Sequence, residues 1–149
     1  MREFLEVLEK IKNKRTRIRN TFKQFINNLE SFFSTVVPTD IPYIRLGEFT
    51  CEGGDFPLYV FYNTKIGKIC CDVSHQSNQE LNVDELSINE IKELLKSIPT
   101  VFREEIERFK KILKKDELYA EIADDLYKDE LLFVKLIVHI SKLIEAQKK

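Results

Sequence analysis

Apolar side chains in the first 36 residues stand at Phe4, Leu8, Ile11, Ile18, Phe22, Phe25, Leu29, Phe32 and Val36. With Arg15 in the one gap, the steps alternate between four and three, the heptad seam of a single amphipathic helix. The pattern predicts a helix over 2–36. At 1.5 Å per residue it is about 50 Å long, more than the width of a compact domain of this size, so it needs a partner along its whole length. Pro38 and Pro42 stop it, and Thr39 and Asp40 supply turn chemistry between them.

From 43 to 74 the pattern turns extended. Residues 43–51 are β-rich, Gly53 and Gly54 suit a tight connection, and the run Leu58-Tyr59-Val60-Phe61-Tyr62 is apolar on both faces. That run predicts a central strand within 56–63. After a turn at 64–67, residues 68–74 alternate, with Ile69, Cys71 and Val73 on one side and Lys68, Cys70 and Asp72 on the other. The simplest solution is a three-stranded antiparallel meander with one face laid against helices.

Residues 75–86 are polar. Ser87-Ile88-Asn89-Glu90 then reads as a capping box opening a short helix that ends near Pro99. Thr100 is placed to cap a second short helix carrying Phe102, Ile106, Phe109 and Leu113, and Asp116 either caps a separate last helix or marks a kink. The last stretch repeats the seam at Tyr119, Ala123, Leu126, Phe133, Ile137, Ile140 and Ile144, with Glu130 as its polar interruption. A second row lies at Leu131, Val134 and Val138. The architecture expected is an α+β, mostly helical single domain over 1–149. In it, long N-terminal and C-terminal helices (1–36 and within 87–148) pack together beside the meander (43–74) and two shorter helices. The extra apolar row exceeds what one helical partner covers, so it is expected to meet the sheet or a second copy of the chain.

Composition narrows the partners. With 149 residues, 43% hydrophobic and 33% charged, and 24 basic against 25 acidic groups, the chain is long enough for one buried core, and its net charge predicts no partner. The apolar run 131–144 is about half of a bilayer span and is broken by Lys135, His139 and Lys142, so a buried helix is expected and no membrane partner. Charges begin at once in the N-terminal helix, so no secretory leader is expected. Three cysteines, two adjacent, have no disulfide-framework spacing, which points to a reducing compartment and a cytoplasmic location.

Charge distribution says more than the total. Lys10, Lys12, Lys14, Arg15, Arg17, Arg19 and Lys23 make seven basic groups with no acid among residues 10–23. Lys10, Lys14 and Arg17 flank one edge of the apolar stripe, and Lys12, Arg19 and Lys23 the other. Residues 116–130 carry Asp116, Glu117, Glu121, Asp124, Asp125, Asp129 and Glu130 against Lys128 alone. Pairing of these two runs in antiparallel helices is the first reading, and contact of the basic run with nucleic-acid phosphates is the second. Arg15, inside the seam, sets register, forks onto an anion or snorkels to water.

Other constellations carry less chemistry. Cys51, Cys70, Cys71 and His75 contain no C-x-x-C pair, and adjacent strand cysteines face opposite ways, so neither a zinc site nor a thiol nucleophile is expected. Asp55 and Asp72 lack the lysine that a nuclease of the restriction-endonuclease type places two residues after its second acid; Ser74 stands there. Gly53-Gly54 is no phosphate loop. His139 reads as a core-edge histidine, and Tyr59, Phe61 and Tyr62 as core rather than as base-stacking platforms. No cofactor and no catalysis are expected. The function read from the residues is protein–protein interaction, regulatory or as an assembly subunit, with a homodimer or another protein as partner; nucleic-acid binding is the alternative.

Overall fold

A computed structural model describes residues 1–148, in the order α1 (Arg2–Val36), β1 (Tyr43–Thr50), β2 (Pro57–Asn63), β3 (Lys68–Asp72), a 3₁₀ turn (Val83–Glu85) and α2 (Ile88–Lys148). The chain divides into two compact units, Met1–Ile106 and the remainder from Glu107 onward. The α+β class, the two long helices and the antiparallel meander β1-β2-β3 with β2 in the centre agree with the sequence. The two shorter helices do not exist, because α2 runs unbroken through Pro99, Thr100 and Asp116.

Proline inside a helix removes one backbone hydrogen bond and costs about 3 kcal/mol, which is why a stop at Pro99 was the natural expectation. Tertiary anchoring on both sides overrides it. Ile91 and Leu94 before the proline are fully buried, and Val101 and Glu105 after it are buried as well. The capping box at the helix start is formed: Ser87 N donates to Glu90 Oε1 at 2.8 Å and Glu90 N to Ser87 Oγ at 3.1 Å.

The face of α2 that flanks the sheet closes its first edge. β1 is an edge strand with outward N–H groups, and α2 side chains accept from three of them. Arg45 N donates to Glu105 Oε2 at 3.0 Å, Glu48 N to Ser97 Oγ at 2.8 Å and Thr50 N to Glu93 Oε1 at 3.0 Å. Just beyond the strand, Glu52 N donates to Glu90 Oε2 at 3.2 Å. These acceptors follow helical spacing along one stripe, so the helix satisfies an edge that would otherwise template pairing with another chain. The approach is close enough to exclude a side chain at Gly47, where β1 shifts register. A Cβ there would stand 2.7 Å from both Leu94 Cδ1 and Ser97 Oγ.

The opposite edge is closed by different means. Ile69 N of β3 donates to Glu30 Oε1 of α1 at 2.9 Å, Cys71 N to Gln79 O at 3.0 Å, and Leu81 N to Ile69 O at 2.9 Å. Between β2 and β3, Gly67 takes φ +68 in the turn that returns its N–H to Asn63 O.

Glu90 links cap and edge, and this gives a pH prediction. Burial pushes its carboxyl pKa up, but hydrogen bonds from Ser87 N, Glu52 N, the Cys51 thiol and the Ser87 hydroxyl outweigh it and hold the group below the ordinary carboxylate value. A depressed folded-state pKa contributes stability that is fully present above the unfolded value, about 4.3, and is lost as pH falls through the folded one. Glu90→Gln is expected to be about 1 kcal/mol less stable than the parent in urea at pH 7. That gap should shrink towards zero in unfolding curves at pH 3; an unchanged gap contradicts the assignment.

The core lies where the C-terminal half of α1 and the start of α2 meet the sheet, and it contains Phe22, Ile26, Leu46, Phe49, Val60, Tyr62, Ile69, Ile91 and Leu94. The buried row of α1 differs from the heptad seam. Phe22 and Ile26 are buried, with Ile18, Leu29 and Phe33 partly so, whereas Phe25, Phe32 and Val36 are exposed. A straight helix drifts about 20° per heptad, so the buried row shares Ile18, Phe22 and Leu29 with the seam and takes Ile26 and Phe33, one position further on, in place of Phe25 and Phe32. In α2 from Glu107 onward most large apolar side chains are exposed, among them Leu126, Leu131, Phe133, Val134, Ile137, Val138, Ile140 and Ile144. The buried helix expected over 131–144 is therefore corrected, and His139 is exposed with it rather than at a core edge. No helix among the described residues is long and apolar enough to cross a membrane.

Candidate interaction surface

Only the second half of α1 packs on the core. In its first half Phe4, Leu8 and Ile11 are 61%, 45% and 43% exposed. The basic run straddles the boundary between the two halves. Arg19 Nη1 donates to Val83 O at 2.7 Å, and Lys23 Nζ pairs with Asp84 at 2.7 Å, so these two hold the 3₁₀ turn against α1. The Lys23 hydrogen bond, with its charge, keeps the Asp84 carboxyl below its ordinary pKa. Lys10, Lys12, Lys14, Arg15 and Arg17 are exposed, and none has an ion pair or side-chain hydrogen bond within residues 1–106.

Between α1 and the start of α2 lies a groove of about 580 Å³ whose floor is Ile18, Phe22, Phe25, Leu95 and Ile98, with Lys14 and Arg17 on its rim. A second recess of about 390 Å³ continues towards the N-terminus past Val7, Ile11 and Arg15, and Lys92 of α2 joins Lys10 and Lys14 there. Arg15 thus lies in the apolar track and remains exposed, its stem among apolar neighbours and its head in water. Sequence reasoning missed Leu95, Ile98 and Lys92. Ile98 continues the stripe marked by Ile91 and Leu94, with Leu95 and Lys92 to one side of it, but only the docking of α2 beside α1 turns that side into a groove wall.

Cys71 and Cys70 are free thiols with pKa values pushed up by burial to about 12 and about 11, with Asp72 and Glu80 respectively the next contributors, the reverse of what a thiolate nucleophile needs. Cys51 is exposed, and its thiol is bound to the Glu90 carboxylate, which raises its pKa. His75 is packed among aromatic rings, stacked on Tyr43 at 4.6 Å with Tyr59 at 4.8 Å and Phe61 at 5.4 Å. Among the described residues no group of three or more His, Cys, Asp or Glu could hold a metal ion. Phe61 and Tyr62 are buried and offer no base a stacking surface. Asp55 is exposed in the β1–β2 connection, while Asp72 accepts hydrogen bonds from Ser77 and from Val73 N. Neither a protein-family model, nor a curated protein, nor a solved structure matches the chain.

Proposed function

We propose that this chain is a non-catalytic interaction subunit that works as a homodimer, using the apolar faces of its long helices as the contact surface. The observation that carries the reading is the exposure of apolar rows: Phe4, Leu8 and Ile11 on α1, and Leu126, Phe133, Ile137, Ile140 and Ile144 on α2, the second interrupted at Glu130. Isolated exposed apolar residues are ordinary, but a contiguous helical row is a surface awaiting a cover. Burying such rows contributes about 25 cal/mol per Å² of apolar area, and helices that are apolar on most sides are found buried. Free thiols at Cys51, Cys70 and Cys71 suit a reducing compartment such as the cytoplasm. Sedimentation equilibrium across micromolar concentrations is expected to give twice the 17.6 kDa chain mass. A mass of one chain throughout that range contradicts the homodimer.

A second reading has its own observation. Lys10, Lys12, Lys14, Arg15 and Arg17 find no acid within residues 1–106 and so form a row of exposed cations suited to phosphates. Filter binding to generic DNA and RNA at 50 and 200 mM salt separates the two: nucleic-acid binding requires retention that falls steeply with salt, and the interaction subunit shows none.

A further inference from the structure

We infer that the groove between α1 and the start of α2 receives the acidic stretch 116–130 of α2 from a second copy of the chain. The inference rests on the homodimer reading and specifies which surfaces meet.

The groove asks for two chemistries at once. Its floor is apolar, with Ile18, Phe22, Phe25, Leu95 and Ile98, and its rim is cationic at Lys14 and Arg17. A nucleic-acid backbone would answer the cations and leave the floor wet. An amphipathic acidic helix answers both, and this chain contains one. In residues 116–130 the exposed side chains Tyr119, Ile122 and Leu126 fall within one narrow arc at 100° per residue. Asp125 and Asp129, four apart, stand along one edge of that arc, and Asp116 and Glu130 along the other. Apolar residues would fill the floor while carboxylates meet the rim.

Length and charge agree as well. The groove and the recess beyond it follow α1 from Val7 to Phe25, a track of about 27 Å at helical rise, and the 15-residue acidic stretch is about 22 Å long. Five basic groups line the track, Lys10, Lys14, Arg15, Arg17 and Lys92, against a net of six negative charges in the acidic stretch. Opposite charges flanking an apolar seam are the means by which paired helices choose partner and direction. In a two-fold pair each copy gives its acidic stretch and receives one, so the contact is made twice and the assembly closes at two chains.

The test uses the full chain and two charge-reversed variants, Lys14→Glu/Arg17→Glu and Asp125→Lys/Asp129→Lys. All four positions are exposed, and far-ultraviolet circular dichroism checks that both variants keep the parental helix content. Sedimentation velocity of each variant alone is expected to show a dimer dissociation constant raised about tenfold or more, since four pairs turn repulsive at once. An equimolar mixture of the two variants should recover the parental dimer, because every contact in the mixed pair again joins opposite charges. If the parent is monomeric at every concentration, the homodimer reading and this inference both fail. If the parent dimerises but the single variants dimerise equally well, or the mixture shows no recovery, the homodimer stands and this assignment of surfaces is overturned.

Discussion

Phe49→Ala is expected to lower the unfolding free energy by about 4 kcal/mol, the range found when a buried phenylalanine is truncated and its cavity only partly collapses. Phe49 is 1% exposed on β1, in the cluster with Phe22, Ile26, Ile91 and Leu94, so its ring is enclosed by both helices and the sheet. The comparison that gives this number meaning is Phe4→Ala. Phe4 belongs to the most regular apolar row in the sequence, yet it is 61% exposed. At concentrations where the chain is a monomer, Phe4→Ala should shift stability by less than about 0.5 kcal/mol, as surface substitutions do. Urea unfolding of both variants measures the contrast. Equal losses would place the core along the first half of α1.

The second large effect is expected at Glu105. Its carboxylate is buried, accepts from Arg45 N at 3.0 Å through Oε2 and pairs with Arg45 Nε at 2.9 Å through Oε1. Arg45 also reaches Glu104 at 3.3 Å, and its hydrogen bond to Glu105 is the leading cause that holds the guanidinium pKa above its ordinary value. Glu105→Ala removes the acceptor for an edge-strand N–H and leaves a half-buried cation facing an apolar gap. The expected loss is about 3 kcal/mol, at the lower end for a broken buried pair because Arg45 retains partial access to water. Glu105→Gln, which keeps the shape and one acceptor oxygen, should fall between the parent and Glu105→Ala in thermal or urea unfolding. A loss below about 1 kcal/mol for Glu105→Ala would show that water replaces the carboxylate freely.

These two residues show where sequence reading succeeds and where it stops. The apolar run around Val60 placed β2 in the centre of the meander, and the capping box fixed the start of α2, because both signals are local: alternation, turn glycine, and a side chain reaching its own helix terminus. The stripe Glu90, Glu93, Ser97 and Glu105 was not legible. Its spacing is helical, but spacing alone does not distinguish a solvated polar face from a row of acceptors for a neighbouring strand. Pro99 misled for a related reason, since a proline signals a helix end only when no tertiary contacts beyond it outweigh the lost hydrogen bond.

The candidate surface divides along the same line. Its basic run and the acidic run on α2 are plain in the sequence, and so is the periodicity of the apolar rows. The groove is not, since Leu95 and Ile98 line it only because α2 docks beside α1. Local chemistry determined that there are two long helices and a three-stranded meander, with opposite charges set along the helices. Tertiary structure alone decided which of the adjacent apolar rows of α1 became core and which of its cations, Arg19 and Lys23, were spent on the 3₁₀ turn. The physical reason is that a helix carrying more apolar surface than one partner covers is free in rotation until the sheet chooses a face, and what the sheet leaves outside becomes the surface through which the chain meets others.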